Sequence, residues 1–152
     1  MDLRAAEATF EHEAVEWETL SELLASTAAR HPEEVAQSYK GGVYDRSLVA
    51  AGAVSAAPDR AYADLTYSEL EVIIQRLATG FRELGLGADD RLSIVSHTRM
   101  EWAQVDFATL AAGGVVTTVY PSTTDYRLEY LLSDPRPTGI VVENSELLGR
   151  VL

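Results

Sequence analysis

Between residues 66 and 84 the apolar side chains recur every three or four positions, at Leu70, Ile73, Ile74, Leu77, Ala78, Phe81 and Leu84. That period predicts an amphipathic helix, opened by Thr66 and Glu69 as a capping box and stopped by Gly85. A second capping box, Thr19 with Glu22, opens a helix whose Leu20, Leu23, Leu24 and Ala28 share one face before Pro32. Between these helices, VAQSYKGGVYDRSLV predicts two short strands in a hairpin around Gly41-Gly42. Residues 50–61, rich in Ala, Gly, Ser and Pro, predict an exposed loop. Residues 1–16 have no clear period and read as a polar lead-in, which leaves 17–152 as the folded unit.

From Arg91 the pattern alternates. RLSIVS predicts a strand, and TRMEWAQVDFATLAAGG a helix with Thr98 and Glu101 as a third capping box. VVTTVY predicts a strand, TDYRLEYLLSD a short helix ending before Pro135, and TGIVVE a strand. Strands and helices alternating over short connections predict right-handed crossovers and a parallel sheet. The fold class is therefore α/β, a partial, mainly parallel sheet with flanking helices. The middle helix is apolar nearly all round, as a helix lying between a sheet and another layer should be.

Composition narrows the chemistry. The 152 residues carry a net charge of −12, and Lys40 is the only lysine. So acidic a surface repels nucleic acid and anionic membrane. Arginine in place of lysine fits a GC-rich genome; lysine depletion together with acidity fits a salt-adapted, halophilic cytoplasm, the reading preferred here. The absence of cysteine removes disulfides, thiolate catalysis and cysteine-ligated zinc. The acidic N-terminus resembles no signal peptide, and the apolar runs are too short to span a bilayer, so a cytoplasmic location is expected.

Most candidate motifs fail on spacing. GLGADD at 85–90 lacks the third glycine of a dinucleotide fingerprint and joins a helix to a strand, the reverse of what phosphate capture needs. HEAVE at 12–16 has Glu16 where a zincin has its second histidine. His31 is explained by the dipole at a helix end. His97 follows a strand at the end where open α/β sheets place ligands, although a satisfied loop histidine remains the simpler reading. The hydroxyls of YPSTTD would cap the helix beginning near Asp125, or hold an anion. Glu101 and Asp106 do not share a helical face. Arg99 and Arg127 lie near strand ends and would attract ATP only weakly.

Two segments resemble a known family. LTYSEL (65–70), the helix after it and RELGLGADDRLSIVS resemble the first core motif of adenylate-forming, AMP-binding enzymes, an L-[TS]-Y-x-E-L sequence leading through a helix to a GL-x-x-GD-x-V turn and a strand. LAAGGVVTTVYPSTT resembles their second core motif, a helix–strand hinge. SHTRMEWAQVDFATLAAGG resembles the S-x-N-R-x-EW approach of long-chain fatty-acid–CoA ligases, and TLSELLASTAARHPEEVAQSYK their opening helix. Thr98 stands in place of the common asparagine, Asp89 in place of glycine before Asp90, and Tyr120-Pro121 shifts the proline. These departures leave the substrate subgroup open.

The resemblance implies an acyl-CoA synthetase in which ATP and Mg2+ activate a fatty acid to an acyl-adenylate, and CoA then displaces AMP. It also implies a fragment, residues 17–152 being an N-terminal subdomain whose partner is the remainder of the ligase. The family's phosphate loop, aromatic-Thr-Glu segment, ribose-binding aspartate and late lysine have no counterpart here. No catalytic, cofactor-binding or metal residue is therefore assigned, and the chain alone is expected to be inactive. Leu65, Thr66, Tyr67, Glu69, Leu70, Gly113, Tyr120 and Pro121 are framework residues. The alternative is a stand-alone, non-catalytic α/β binding or interaction module.

Overall fold

The computed structural model describes Arg4, residues 17–42 and residues 47–152. The lead-in at 1–16, apart from Arg4, and the HEAVE segment within it lie outside the described residues. The elements are α1 (Leu20–Arg30), β1 (Val35–Lys40), α2 (Ser47–Ala50), β2 (Tyr62–Thr66), α3 (Tyr67–Glu83), β3 (Arg91–Val95), α4 (Met100–Ala111), β4 (Val115–Val119), α5 (Asp125–Ser133), β5 (Gly139–Val142) and α6 (Ser145–Val151).

Strands β4, β3 and β5 form a parallel sheet in that order, with Arg91 opposite Val115 and Leu92 opposite Gly139. Parallel neighbours need a crossover, and α4 and α5 supply it. Side chains alternate across the sheet. Leu92 and Ile94 join Leu24, Leu70, Ile74, Ala78, Val105 and Ala108 in a core under α1, α3 and α4. Val95 faces the other way, into a smaller cluster with Val119, Leu128 and Leu147 under α5 and α6. The α/β class and the parallel sheet agree with the sequence reading.

Two of the three capping boxes form. The hydroxyls of Thr19 and Thr66 accept from the backbone N–H groups of Glu22 and Glu69, whose carboxylates bond back to the cap residues. The third does not. Arg99, not Thr98, is the N-cap of α4, and no side chain caps that helix. Glu101 is unavailable for a box because the Arg99 guanidinium holds it, Nε to Oε2 at 2.8 Å and Nη2 to Oε1 at 3.1 Å.

The expected hairpin around Gly41-Gly42 is also corrected. β1 pairs antiparallel with β2, more than twenty residues on, and residues 47–50 are helical; residues 43–46 lie outside the described set. Gly41 serves a close approach, not a turn: a Cβ there would lie 2.2 Å from the Pro58 carbonyl oxygen. The segment 50–61 is mostly the exposed loop expected, but it is pinned to the core at one point. Val54 is buried with Tyr39, Leu65, Ile73 and Met100, and the Tyr39 hydroxyl donates to the Ser55 carbonyl. Leu84, counted on the buried face of α3, is 86% exposed because the helix has ended at Glu83.

Candidate functional site

The C-terminal ends of β3 and β5 bring three partly buried charged side chains, Arg99, Glu101 and Glu143, together beside the exposed His97. β3 delivers Ser96, His97 and Arg99, β5 delivers Glu143, and the first turn of α4 adds Glu101. Glu143 Oε2 accepts the His97 backbone N–H and contacts the His97 ring Nδ1, each at 2.8 Å. Arg99 Nη1 stands 3.8 Å from Glu143 Oε1. Burial works to raise the Glu143 carboxyl, but the His97 hydrogen bonds and the charges of His97 and Arg99 outweigh it and hold it below the ordinary carboxylate value. An ionised carboxylate only accepts, so the network places a ring proton on Nδ1. His97 thus ties β3 to the end of β5, the satisfied role, while most of its side chain stays exposed.

Two clefts of about 300 Å³ each flank this cluster. One runs between α3, α4 and the β5 edge, with Leu77, Phe81, Trp102, Gln104, Val105 and Val141 among its walls. The other lies over the ends of β3 and β4, where Ser96, Thr98, Thr118 and Ser122 bring hydroxyls beside His97. The loop bounding it is fixed by a cation. Arg150 of α6 donates to the carbonyls of Pro121 (2.7 Å) and Thr123, and to Asp125 Oδ1 at 2.9 Å. The hydroxyls of YPSTTD do not cap α5; Thr124 holds the N-cap position without a side-chain bond.

The other sequence candidates are dispersed. His31 pairs with Glu34 at 3.2 Å on the surface. Asp106 is raised by burial and lines neither cleft. Arg127 is exposed on α5, and Lys40 stacks over Tyr62 at 5.9 Å. Among the framework residues, Leu65 and Leu70 are core, Tyr67 packs against it, and Thr66 and Glu69 cap α3. Gly113, at φ +88°, ends α4 in a conformation that side chains resist, and its carbonyl accepts the Asp89 N–H at 2.9 Å. This bond joins the two motif segments. Asp89 itself sits at φ +65°, which accounts for the glycine usual at that place in the pattern. Pro121 is buried and Tyr120 is exposed.

Glu143, Gln104 and Arg150 were missed from the sequence. Applying the strand-end rule to β5 as well as β3 would have found Glu143; the other two carry no local signal. Among the described residues, no group of three or more His, Asp or Glu side chains is placed to hold a metal ion. No described helix is long and apolar enough to cross a membrane.

Comparison with known proteins gives this arrangement a context. The chain is similar to the long-chain-fatty-acid–CoA ligase FadD15 of Mycobacterium bovis (strain ATCC BAA-935 / AF2122/97), 35% identical over 85 residues, covering 56% of this chain and 14% of that protein. Its fold resembles the fatty acyl-adenylate ligase of L. pneumophila solved with acyl adenylate and pyrophosphate, at TM-score 0.68 and 13% identity, over 91% of this chain and 22% of that one. It likewise resembles the N-terminal subdomain of Klebsiella oxytoca NpsA, at TM-score 0.63 and 16% identity, over 85% of this chain and 28% of that one. The chain spans about a fifth or less of the length of the curated relatives it matches. The model of the AMP-binding enzyme family matches residues 24–151, and the chain belongs to that family, as an N-terminal portion of the adenylate-forming fold.

Proposed function

We propose that residues 17–152 form the N-terminal subdomain of a cytoplasmic long-chain fatty-acid–CoA ligase and supply framework, not catalysis. In the whole enzyme ATP and Mg2+ would activate the fatty acid and CoA would take the acyl group. The observation that carries this reading is the sheet. Among the described residues, β4 and β5 each pair on one side only, with β3, and present Val115 and Ile140 at open edges. Unpaired edges with apolar side chains call for covering chain. The similarity to FadD15 supports the fatty-acid branch.

Adenylation needs donors and a metal preorganised around the transferring phosphates. The described residues offer no such constellation, so the chain alone should give no fatty-acid-dependent ATP–pyrophosphate exchange. The test is that exchange assay with Mg2+ in high salt, run on the chain alone and on the chain fused to the remainder of a related ligase. Exchange by the fusion only supports the reading. Exchange by the purified chain alone would overturn it.

A second reading, a stand-alone binding module, is favoured by one observation: the chain closes a ten-residue buried core with its own helices. Light scattering separates the two. A compact monomer that binds no hydrophobic dye would favour the module, and self-association would favour the missing-partner reading.

A further inference from the structure

Among the described residues the parallel sheet has two open edges, and the winding of the chain selects one of them for extension. Strand β4 follows β3 through α4, whose Val105 and Ala108 share a core with Leu92 and Ile94. Strand β5 follows β4 through α5, whose Leu128 clusters with Val95 on the opposite face, and it lies on the other side of β3. Crossovers that step in opposite directions over opposite faces have the same hand, the right-handed one that parallel connections nearly always take. Helix α6 follows β5 and adds Leu147 to the α5 cluster, so it covers the same face as α5. A right-handed connection over that face steps as α5 does, from β4 towards β5 and onward. β3 already fills the inner side of β5, which leaves the outer edge for a strand following α6.

That edge has the form of a strand site. Val95 stands opposite Val142 but accepts the N–H of Glu143, so β5 turns the backbone of its odd-numbered residues to β3 and that of Ile140 and Val142 outward. Beside these groups runs a cleft of about 130 Å³ walled by Phe81, Leu84, Leu86 and Leu92. Phe81 and Val141 also line the larger cleft next to it, so the two follow the strand in series. The second cleft turns polar at Ser96, Arg99, Glu101 and Glu143, and the apolar stretch ends where β5 ends. Neither a charge nor a proline blunts the edge between Gly139 and Val142. We infer that the outer edge of β5 receives a fourth parallel strand, supplied by the ligase chain that follows α6, with apolar side chains set against Phe81 and Leu84. The inference rests on the ligase reading, whose relatives are several times longer than this chain.

The test compares the chain alone with its fusion to the remainder of FadD15. Hydrogen exchange is followed over residues 138–143, and ATP–pyrophosphate exchange reports separately on the ligase reading. In the chain alone the Ile140 and Val142 amides should exchange fast. In the fusion they should slow by at least about tenfold, the upper range for one net hydrogen bond. Ile140→Pro removes an outward N–H and no bond to β3, so it should lower the melting midpoint of the chain alone by about 3 °C or less and remove the protection in the fusion. The comparison of the two unsubstituted proteins stands should that variant fail to fold. An active fusion whose β5 exchanges as fast as in the chain alone would overturn the inference and leave the ligase reading in place. Protection that survives Ile140→Pro would also overturn it. An inactive fusion would count against the ligase reading; slowed exchange at β5 within it would still support the edge assignment, and unchanged exchange would overturn that as well.

Discussion

The two faces of the parallel sheet are closed to different degrees. Under α1, α3 and α4 ten buried residues form one cluster, and Ile74, Ala78, Ile94 and Ala108 are almost completely removed from water. Under α5 and α6 the cluster has four, while Tyr126, Tyr130 and Leu131 of α5 face outward. The first face is closed by the longer helices, two of which, α1 and α3, open with a formed capping box. The second is a thin layer tied down at its entry by Arg150. Local stability should follow that division, since regions with few buried apolar contacts open first.

The largest effect should come from cutting into the thick face. Ile74→Ala is expected to cost about 3 kcal/mol, the transfer loss plus a cavity the packed helices cannot close. Leu128→Ala should cost about 2 kcal/mol and increase hydrogen exchange mainly in α5 and α6. Urea unfolding and exchange rates check both, and equal exchange across the two faces in Leu128→Ala would erase the distinction. Salt should act next. With a net charge of −12, screening from low to molar KCl is expected to raise the melting midpoint by about 5 °C, roughly 2 kcal/mol for a chain of this size. Exchange in α5 should slow first. A flat midpoint would remove the salt-adapted reading.

Smaller effects test individual ties. Thr66→Ala should cost about 1 kcal/mol, because a formed cap is lost at the start of α3. Glu143 and Asp106 should oppose each other in the acid limb. Glu143 is held below its ordinary value, so its contribution is present above the ordinary carboxylate range and is lost as pH falls. Asp106 is raised by burial, so its penalty is present at neutral pH and is relieved as pH falls. In melts between pH 7 and pH 3, Glu143→Gln should flatten the acid loss and Asp106→Asn should steepen it. Thr98→Ala should change stability by less than about 0.5 kcal/mol, since its hydroxyl caps nothing.

The contrast between Thr66 and Thr98 also explains what the sequence could convey. Both capping patterns look alike as letters, and the first forms because nothing competes for Glu69. At Thr98 the neighbouring Arg99 offers Glu101 a bidentate partner, a charge-assisted contact stronger than a cap. Helix periodicity and the strand–helix alternation were legible because each is a local pattern. The partner of β1 was not, because Gly41-Gly42 is a turn signal whose real cause, the Pro58 carbonyl, lies far along the chain. The candidate site was legible at His97, Arg99, Glu101 and the hydroxyls of YPSTTD, though not how they are arranged. The Glu143 bond and the hydrogen bond from Gln104 to Gln37 exist only once distant segments have met.

The order β4-β3-β5 also sets a timetable for synthesis. β3 is the centre of the sheet and the first of its strands to be made; Val115, opposite Arg91, emerges next, and Gly139, opposite Leu92, later still. A growing chain can therefore pair outward from an existing middle and need not hold an unpaired strand in waiting for a late centre. Early pairing over the shorter separation favours a fast first step. By this schedule the helix crossing from β3 to β4 is docked while α5 is still being translated, and nascent chains halted after β4 should already protect Leu92 and Ile94 from exchange.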